Sequence, residues 1–225
     1  MTTYSADRQA TTATRVGDVL TLLKSRRSVR AYQDRPVAPE LIEQVLEAAR
    51  WAPSPHGRQP WRFALLTRPE LKLHLADEMS DTWRQQLRLD NQPEEIVALR
   101  LEKSRQRILG APALILPCLY LEEMDRYPDA QRQADEETMA IQSLGAAIQN
   151  MLLMAYELGL DSGWMCAPLF CPDIVRAALN LATGLRPQAL ITLGYAAADP
   201  RRRERLPLSE LVICLDDLQD AEEIV

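Results

Sequence analysis

Two arginine-rich clusters stand near opposite ends of an acidic chain. One is Arg26-Arg27-Ser28-Val29-Arg30; the other is Arg201-Arg202-Arg203-Glu204-Arg205, followed by Leu206-Pro207. The chain carries 26 Lys and Arg against 32 Asp and Glu, a net charge of −6, so local positive charge needs a local reason. Arginine forks match phosphate oxygens in bidentate fashion, and a serine hydroxyl adds a neutral donor. Alone, either cluster reads equally well as an exposed turn whose arginines pair with neighbouring acids. Together they suggest one phosphate gripped from both ends of the chain.

The elements around these clusters follow from apolar spacing. Val16, Val19, Leu20 and Leu23 predict a short helix ending at the first cluster. Pro39 suits the first turn of a second helix, with Leu41, Ile42, Val45, Leu46 and Ala49 as its apolar face. Trp51 to Gly57 holds two prolines and a glycine and is expected to be a loop. Trp61 to Thr67 reads as a strand, Leu71 to Met79 as a helix, and Pro93 to Ile108 as a charged surface helix suited to a lid. The continuous apolar run Ala113 to Leu121 fits a strand covered on both faces, with Pro117 marking a bulge or an edge. Gln133 to Leu158 is the longest helical pattern, nearly 40 Å at 1.5 Å per residue. Its length and its small residues Ala140, Gly145, Ala146 and Ala147 suggest an interface helix, and Gly159 a C-terminal stop. Ser162 to Ala167 reads as a short strand or extended loop, Pro172 to Leu181 as a helix, Ala189 to Tyr195 as a strand, and Leu211 to Leu215 as a final short strand. This irregular mixing of helices and strands points to an α+β fold. Residues 1–15 form an expected flexible N-terminal arm, ahead of a single domain over 16–225.

Composition excludes several classes. The 225 residues are 47% hydrophobic and 26% charged, ordinary for a soluble globular chain. No apolar run approaches the ~20 residues that span a bilayer, and the polar N-terminus lacks a secretory signal, so the expected location is cytoplasmic, with no membrane partner. The acidic balance argues against nucleic-acid binding, which needs a broad basic face. Cys118, Cys166, Cys171 and Cys214 form no CxxC pair, and His56 and His74 are the only histidines, so no metal site is expected. There is no GxGxxG after a strand, no GxxxxGK[ST] and no GxSxG.

The whole chain resembles the nitroreductase family of FMN-dependent oxidoreductases. Ser25-Arg26-Arg27-Ser28-Val29-Arg30-Ala31-Tyr32 matches the family's RRSxRxF/Y pattern. Ala48-Ala49-Arg50-Trp51-Ala52-Pro53-Ser54 with Gln59-Pro60-Trp61-Arg62-Phe63 matches AAxxAPSxxNxQPWxF. Ser143 to Leu153, Leu158 to Pro168, and Leu193-Gly194-Tyr195 with Arg203-Glu204-Arg205-Leu206-Pro207 follow in order and spacing. The resemblance implies a nitroreductase-like fold: a central, mixed but mainly antiparallel sheet flanked by helices, in an intertwined homodimer with the flavin at the subunit interface.

It also implies roles. Arg26, Ser28, Arg203 and Arg205 would hold the FMN phosphate, with Arg27 alongside. Arg30 would lie near the pyrimidine edge of the flavin. Pro53 and Ser54 would line the flavin on the partner side, and Gln59 would contact the ribityl chain or ring edge. Met165, Cys166 and Ala167 match the segment where a backbone N–H meets flavin N5. The family's asparagine before Gln-Pro-Trp is Gly57 here, which leaves His56, Arg58 or a backbone group for that edge. The implied reaction is ping-pong hydride transfer from a reduced donor, NAD(P)H or a reduced deazaflavin, to a small organic acceptor. Loops such as 81–106 are expected to set the acceptor.

Trp164 to Asp173 looks closest to the nitroreductase-like domain attached to γ-glutamyl ligases of deazaflavin coenzyme (F-420) biosynthesis. In that branch the flavin reduces a dehydro precursor of the coenzyme. Two alternatives stand beside it: a flavin-binding or flavin-sequestering protein without turnover, and a flavin-destructase-like enzyme.

Overall fold

The computed structural model describes residues 18–201 and 203–213. The expected arm over 1–15, Arg202 and Cys214 lie outside them. Helices α1 (Val19–Ser25) and α2 (Pro39–Arg50) lead to strand β1 (Trp61–Leu66); α3 (Pro69–Leu89) and α4 (Glu94–Leu109) lead to β2 (Ala113–Tyr120). Then come α5 (Ala130–Glu157), β3 (Asp161–Met165), α6 (Pro172–Ala178), β4 (Leu185–Pro187) and β5 (Leu190–Gly194). The sheet runs β1-β2-β5-β3, with β4 also on β2. All its ladders are antiparallel; the one parallel contact is an isolated bridge between Ser28 and Ser162.

Strand β2 shows why its sequence is apolar without interruption. Ala113, Ile115 and Leu119 join one core, with α2 and α5, while Leu114, Leu116 and Cys118 join a second, with α3, α4 and α6. Side chains alternate across a strand, so both faces of β2 are buried. Cys118 is buried deeply enough that desolvation pushes its thiol up to about 12. Pro117 has no N–H for a ladder, and it sits where β5 stops pairing, at Ile115, and β4 begins, at Cys118. Its carbonyl still accepts from Gln188 N at 2.9 Å. The expected bulge is thus a hand-over between two strands.

Helix α5 is 28 residues long. Asp129 caps its start by accepting from Arg132 N at 2.9 Å. Gly159, at φ +78°, ends it: Leu160 N bonds Ala155 O and Gly159 N bonds Tyr156 O, the paired bonds of a Schellman stop.

Two expectations are corrected, and one element was not foreseen. Residues 81–106 are not a loop but most of a helical hairpin, α3 extending through Leu89 and α4 starting at Glu94. Arg88 clasps the turn through two bonds to the Glu94 carboxylate, at 2.7 and 3.2 Å, and Trp83, Leu87, Val97 and Leu101 fill a small core of their own. Polar residues spread along α3 obscured its second half, whose packing is supplied by α4. Leu211–Ile213 form no strand; a 3-10 turn over Leu208–Glu210 precedes them, and these apolar residues lie exposed with no neighbouring strand. Strand β4 carried no signal because three residues cannot show a period. No described helix is long and apolar enough to cross a membrane.

Candidate functional site

The segment after α1 runs along the sheet edge at β3. Val29 N donates to Ser162 O at 2.9 Å, and Ser28 bridges Ser162. The chain then turns against the residues that follow β5: Gln33 N bonds Tyr195 O at 2.8 Å and Ala197 N bonds Ala31 O at 3.0 Å. The Tyr32 hydroxyl locks this join, 2.6 Å from Thr192 Oγ1; burial pushes its titration well above the usual tyrosine range. Gly163 makes the close approach possible. A Cβ there would stand 2.3 Å from Val29 O and 2.7 Å from Thr192 Oγ1, so only glycine lets the first arginine cluster lie against β3.

This pairing brings the two clusters together. Residues 31–33 and 195–197 run antiparallel side by side, so the first cluster, which precedes Ala31, and the second, which follows Ala197, leave the same end of the join. Burial, and after it the charges of Arg205 and Arg27, hold the Arg26 guanidinium below the ordinary arginine value. Like charges thus stand near one another, and no ion pair joins Arg26 or Arg205 to an acid among the described residues. Arg27 is used differently: its Nη1 donates to the carbonyls of Lys24, Ser25 and Arg26 at 3.1, 2.5 and 3.4 Å, capping the C-terminal end of α1, where cations are favoured. Its Nε lies 3.9 Å from Asp199 Oδ1. Arg27 Nε and Ser162 Oγ are buried without a hydrogen-bond partner among the described residues. Both belong to residues that flank or pair with Ser28, where guanidinium groups and a hydroxyl are gathered. The donor set fits that anion. Arg203 and Arg205 lie exposed on the segment beyond β5.

Arg30 emerges on the same edge, beside Trp164 and Met165 and facing Arg107 of α4. These four residues, Cys166 and Ala167 border a cavity of about 300 Å³ roofed by α3 and α4. Cys166 is exposed and caps the 3-10 turn Ala167–Phe170, whose first N–H groups have no partner inside the turn. Gln86 Nε2 of α3 donates to Phe170 O at 3.0 Å, tying roof to floor.

Pro53, Ser54 and Gln59 are not brought to this cavity. They belong to the loop before β1, whereas Met165 ends β3, at the other edge of the sheet. Three strand spacings separate the edges, about 14 Å. The loop is tightly built: Ser54 Oγ accepts from Gln59 N at 3.0 Å, and His56, Gly57 and Gln59 have φ of 51°, 68° and 51°. Arg58 is occupied, donating to Glu123 O at 2.7 Å and to Asp125 Oδ1 at 2.5 Å. Gly57 takes the left-handed conformation that Gly and Asn share most readily, which gives a backbone reason for both residues at this position.

Sequence reasoning missed Arg107 and Gly163. Arg107 had one faint signal: it flanks the buried stripe Leu101, Ser104 and Ile108 of α4, where a cation borders the covered face. Nothing in the sequence distinguished Gly163 from a strand glycine tolerated by chance.

Comparison with known proteins agrees with this geometry. The model of the Nitroreductase family matches residues 23–195, and the chain belongs to that family. A relative from Thermus thermophilus named NADH dehydrogenase is 30% identical over 207 residues, 87% of this chain and 95% of its own length. Among solved structures, a BluB-like flavoprotein from Clostridium difficile superposes with a TM-score of 0.74 at 25% identity, covering 88% of this chain and 99% of that one. A structure from Desulfovibrio desulfuricans solved in complex with FMN is 29% identical with a TM-score of 0.67, covering 88% and 96%.

Proposed function

We propose that this protein binds FMN in a homodimer and works by a ping-pong mechanism, taking hydride from NAD(P)H or a reduced deazaflavin and passing it to a small organic acceptor. The observation that carries the reading is the antiparallel join of residues 31–33 with 195–197, which sets both arginine clusters at one end of it, close enough for the charge of Arg205 to bear on Arg26. Family membership and the FMN complex of the relative from Desulfovibrio desulfuricans support the cofactor. When bound, FMN supplies the two-electron carrier for both half-reactions.

The chain's own residues position it. Arg26, Ser28, Arg203 and Arg205 hold the phosphate, and Arg27 keeps Arg26 and Ser28 in place by closing α1. Arg30 sets positive charge at the pyrimidine edge, favouring negative charge on the reduced ring. Met165, Cys166 and Ala167 present backbone to the N5 side. Pro53, Ser54 and Gln59 come from the partner subunit, since within one chain they lie a sheet's width away. Exposed apolar surface supports the partner: no residue of α1 is buried, and Val19 and Leu20 are 71% and 58% exposed. Met139 and Ile141 of α5 and Leu208, Val212 and Ile213 of the tail are exposed as well. Reduction of a dehydro precursor of a deazaflavin coenzyme is the acceptor chemistry suggested by Trp164 to Asp173.

The purified protein is expected to be yellow and to release FMN on acid treatment; a colourless protein that takes up no FMN sinks the reading. Stopped-flow mixing with NADH, NADPH or a reduced deazaflavin identifies the donor by bleaching. Bound flavin that none of them bleaches points instead to sequestration without turnover.

A further inference from the structure

A second cavity lies where α3 begins, α4 ends and β2 starts. It holds about 810 Å³ and shares no residue with the cavity bordered by Met165 and Cys166. Lys72 of α3 and Ala111 both border it. Lys72 is 6% exposed, and its Nζ donates to Ala111 O at 2.7 Å, just past the end of α4, where a cation is favoured. That bond uses one of the three N–H groups an ammonium carries. The others have no partner among the described residues, and no described acid pairs with this cation, whereas Arg58, Arg88 and Arg105 all have carboxylate partners. Burial holds the amine below the ordinary lysine value. A buried charge without a counter-ion is destabilising, and an anion seated against it offsets the loss.

The remaining walls say which anion fits. Pro36, Pro69, Leu73 and Leu109 border the cavity; these four offer an aliphatic surface with no ring to stack on. The exposed rim carries both signs, Arg35 with Asp34 and Glu70, and the Arg35 guanidinium is stacked on the Tyr195 ring, 3.8 Å from its centroid. Two acids outnumber one cation at the mouth, which opposes a dianion more than a single negative charge. We propose that this cavity is a ligand site separate from the flavin and that it takes a small carboxylate with an aliphatic body: the Lys72 ammonium receives the carboxylate, and Pro36, Pro69, Leu73 and Leu109 cover the chain.

Hexanoate, hexanamide and inorganic phosphate separate charge from shape, by titration calorimetry on the purified full chain whatever its flavin content. Hexanoate is expected to bind about tenfold or more tightly than either of the others. Lys72→Met should lower hexanoate affinity to the level of hexanamide. Leu73→Glu, at a residue 40% exposed, places a like charge in the cavity while sparing the Lys72 bond, and should weaken hexanoate by a similar factor. Absence of hexanoate binding, hexanamide or phosphate binding as tightly as hexanoate, or hexanoate affinity unchanged in Lys72→Met overturns the proposal. Should Lys72→Met fail to fold, Leu73→Glu and the wild-type ratios still decide. Hexanoate should also leave the flavin absorbance unchanged; binding that shifts it and survives both substitutions lies at the flavin and overturns the proposal as well. Failure here leaves the FMN reading standing, and a protein without FMN leaves this test intact.

Discussion

The two edges of the sheet carry the two groups of residues in the proposed site, and they are finished to different degrees. At the β3 edge, the segment Ser28–Gln33 is fixed on both sides, by Ser162 and by residues 195–197, and the Tyr32 hydroxyl pins it from below. The arginines there are delivered by backbone pairing, and Gly163 sets the distance. At the β1 edge, the loop from Pro53 to Gln59 is equally well built but lies a sheet's width from Met165, and α1 and the tail beyond Arg205 expose apolar side chains. One group is drawn together within the chain; the other is held rigidly apart from it. Rigid local structure and a usable site are therefore separate achievements, and on the function proposed above the second calls for a second copy.

That contrast can be broken at either edge. The largest effect is expected from Leu20→Glu together with Leu23→Glu. If α1 packs against a partner, each change forfeits the ~1.5–3 kcal/mol of a buried leucine and places a charge in the contact. Sedimentation should then show monomer, with FMN lost in parallel while circular dichroism stays unchanged; a dimer that persists would contradict the assignment of α1. At the finished edge, Gly163→Ala drives a methyl into Val29 O and Thr192 Oγ1. Overpacking of this kind costs roughly 1–3 kcal/mol, so urea unfolding should shift by that amount and FMN retention should fall; unchanged stability would mean the approach of residue 29 to β3 is not tight. The smallest effect is expected at Gly57→Asn. Its φ of +68° suits asparagine and no atom crowds a Cβ there, so stability should change by less than ~0.5 kcal/mol. A larger loss would show that the loop needs glycine for more than its backbone angle.

Most of the fold was legible because its signals are local. The proline starts of α2 and α6 and the Gly159 stop are properties of a few adjacent residues. Buried β2 was legible because a strand covered on both faces must be apolar throughout. The α3–α4 hairpin was only half legible: Trp83, Leu87, Val97 and Leu101 form a core with one another rather than with the sheet, and such pairing shows in neither helix alone. At the site, residue types were visible but partnerships were not. Arg26, Arg27 and Arg30 look alike in sequence, yet one meets Arg205, one caps α1 and one faces Arg107. Two of those three partners, Arg205 and Arg107, lie far off in the sequence, and no spacing encodes them.

The central claim is that both arginine clusters hold one FMN phosphate, and it is tested by FMN affinity in Arg26→Ala, Arg205→Ala and the double variant, from quenching of flavin fluorescence. A charged phosphate contact is worth roughly 1.5–3 kcal/mol, so each single change should weaken binding at least tenfold, and the double change by less than the product because the two contacts share one group. Affinity unchanged in both single variants would contradict the account.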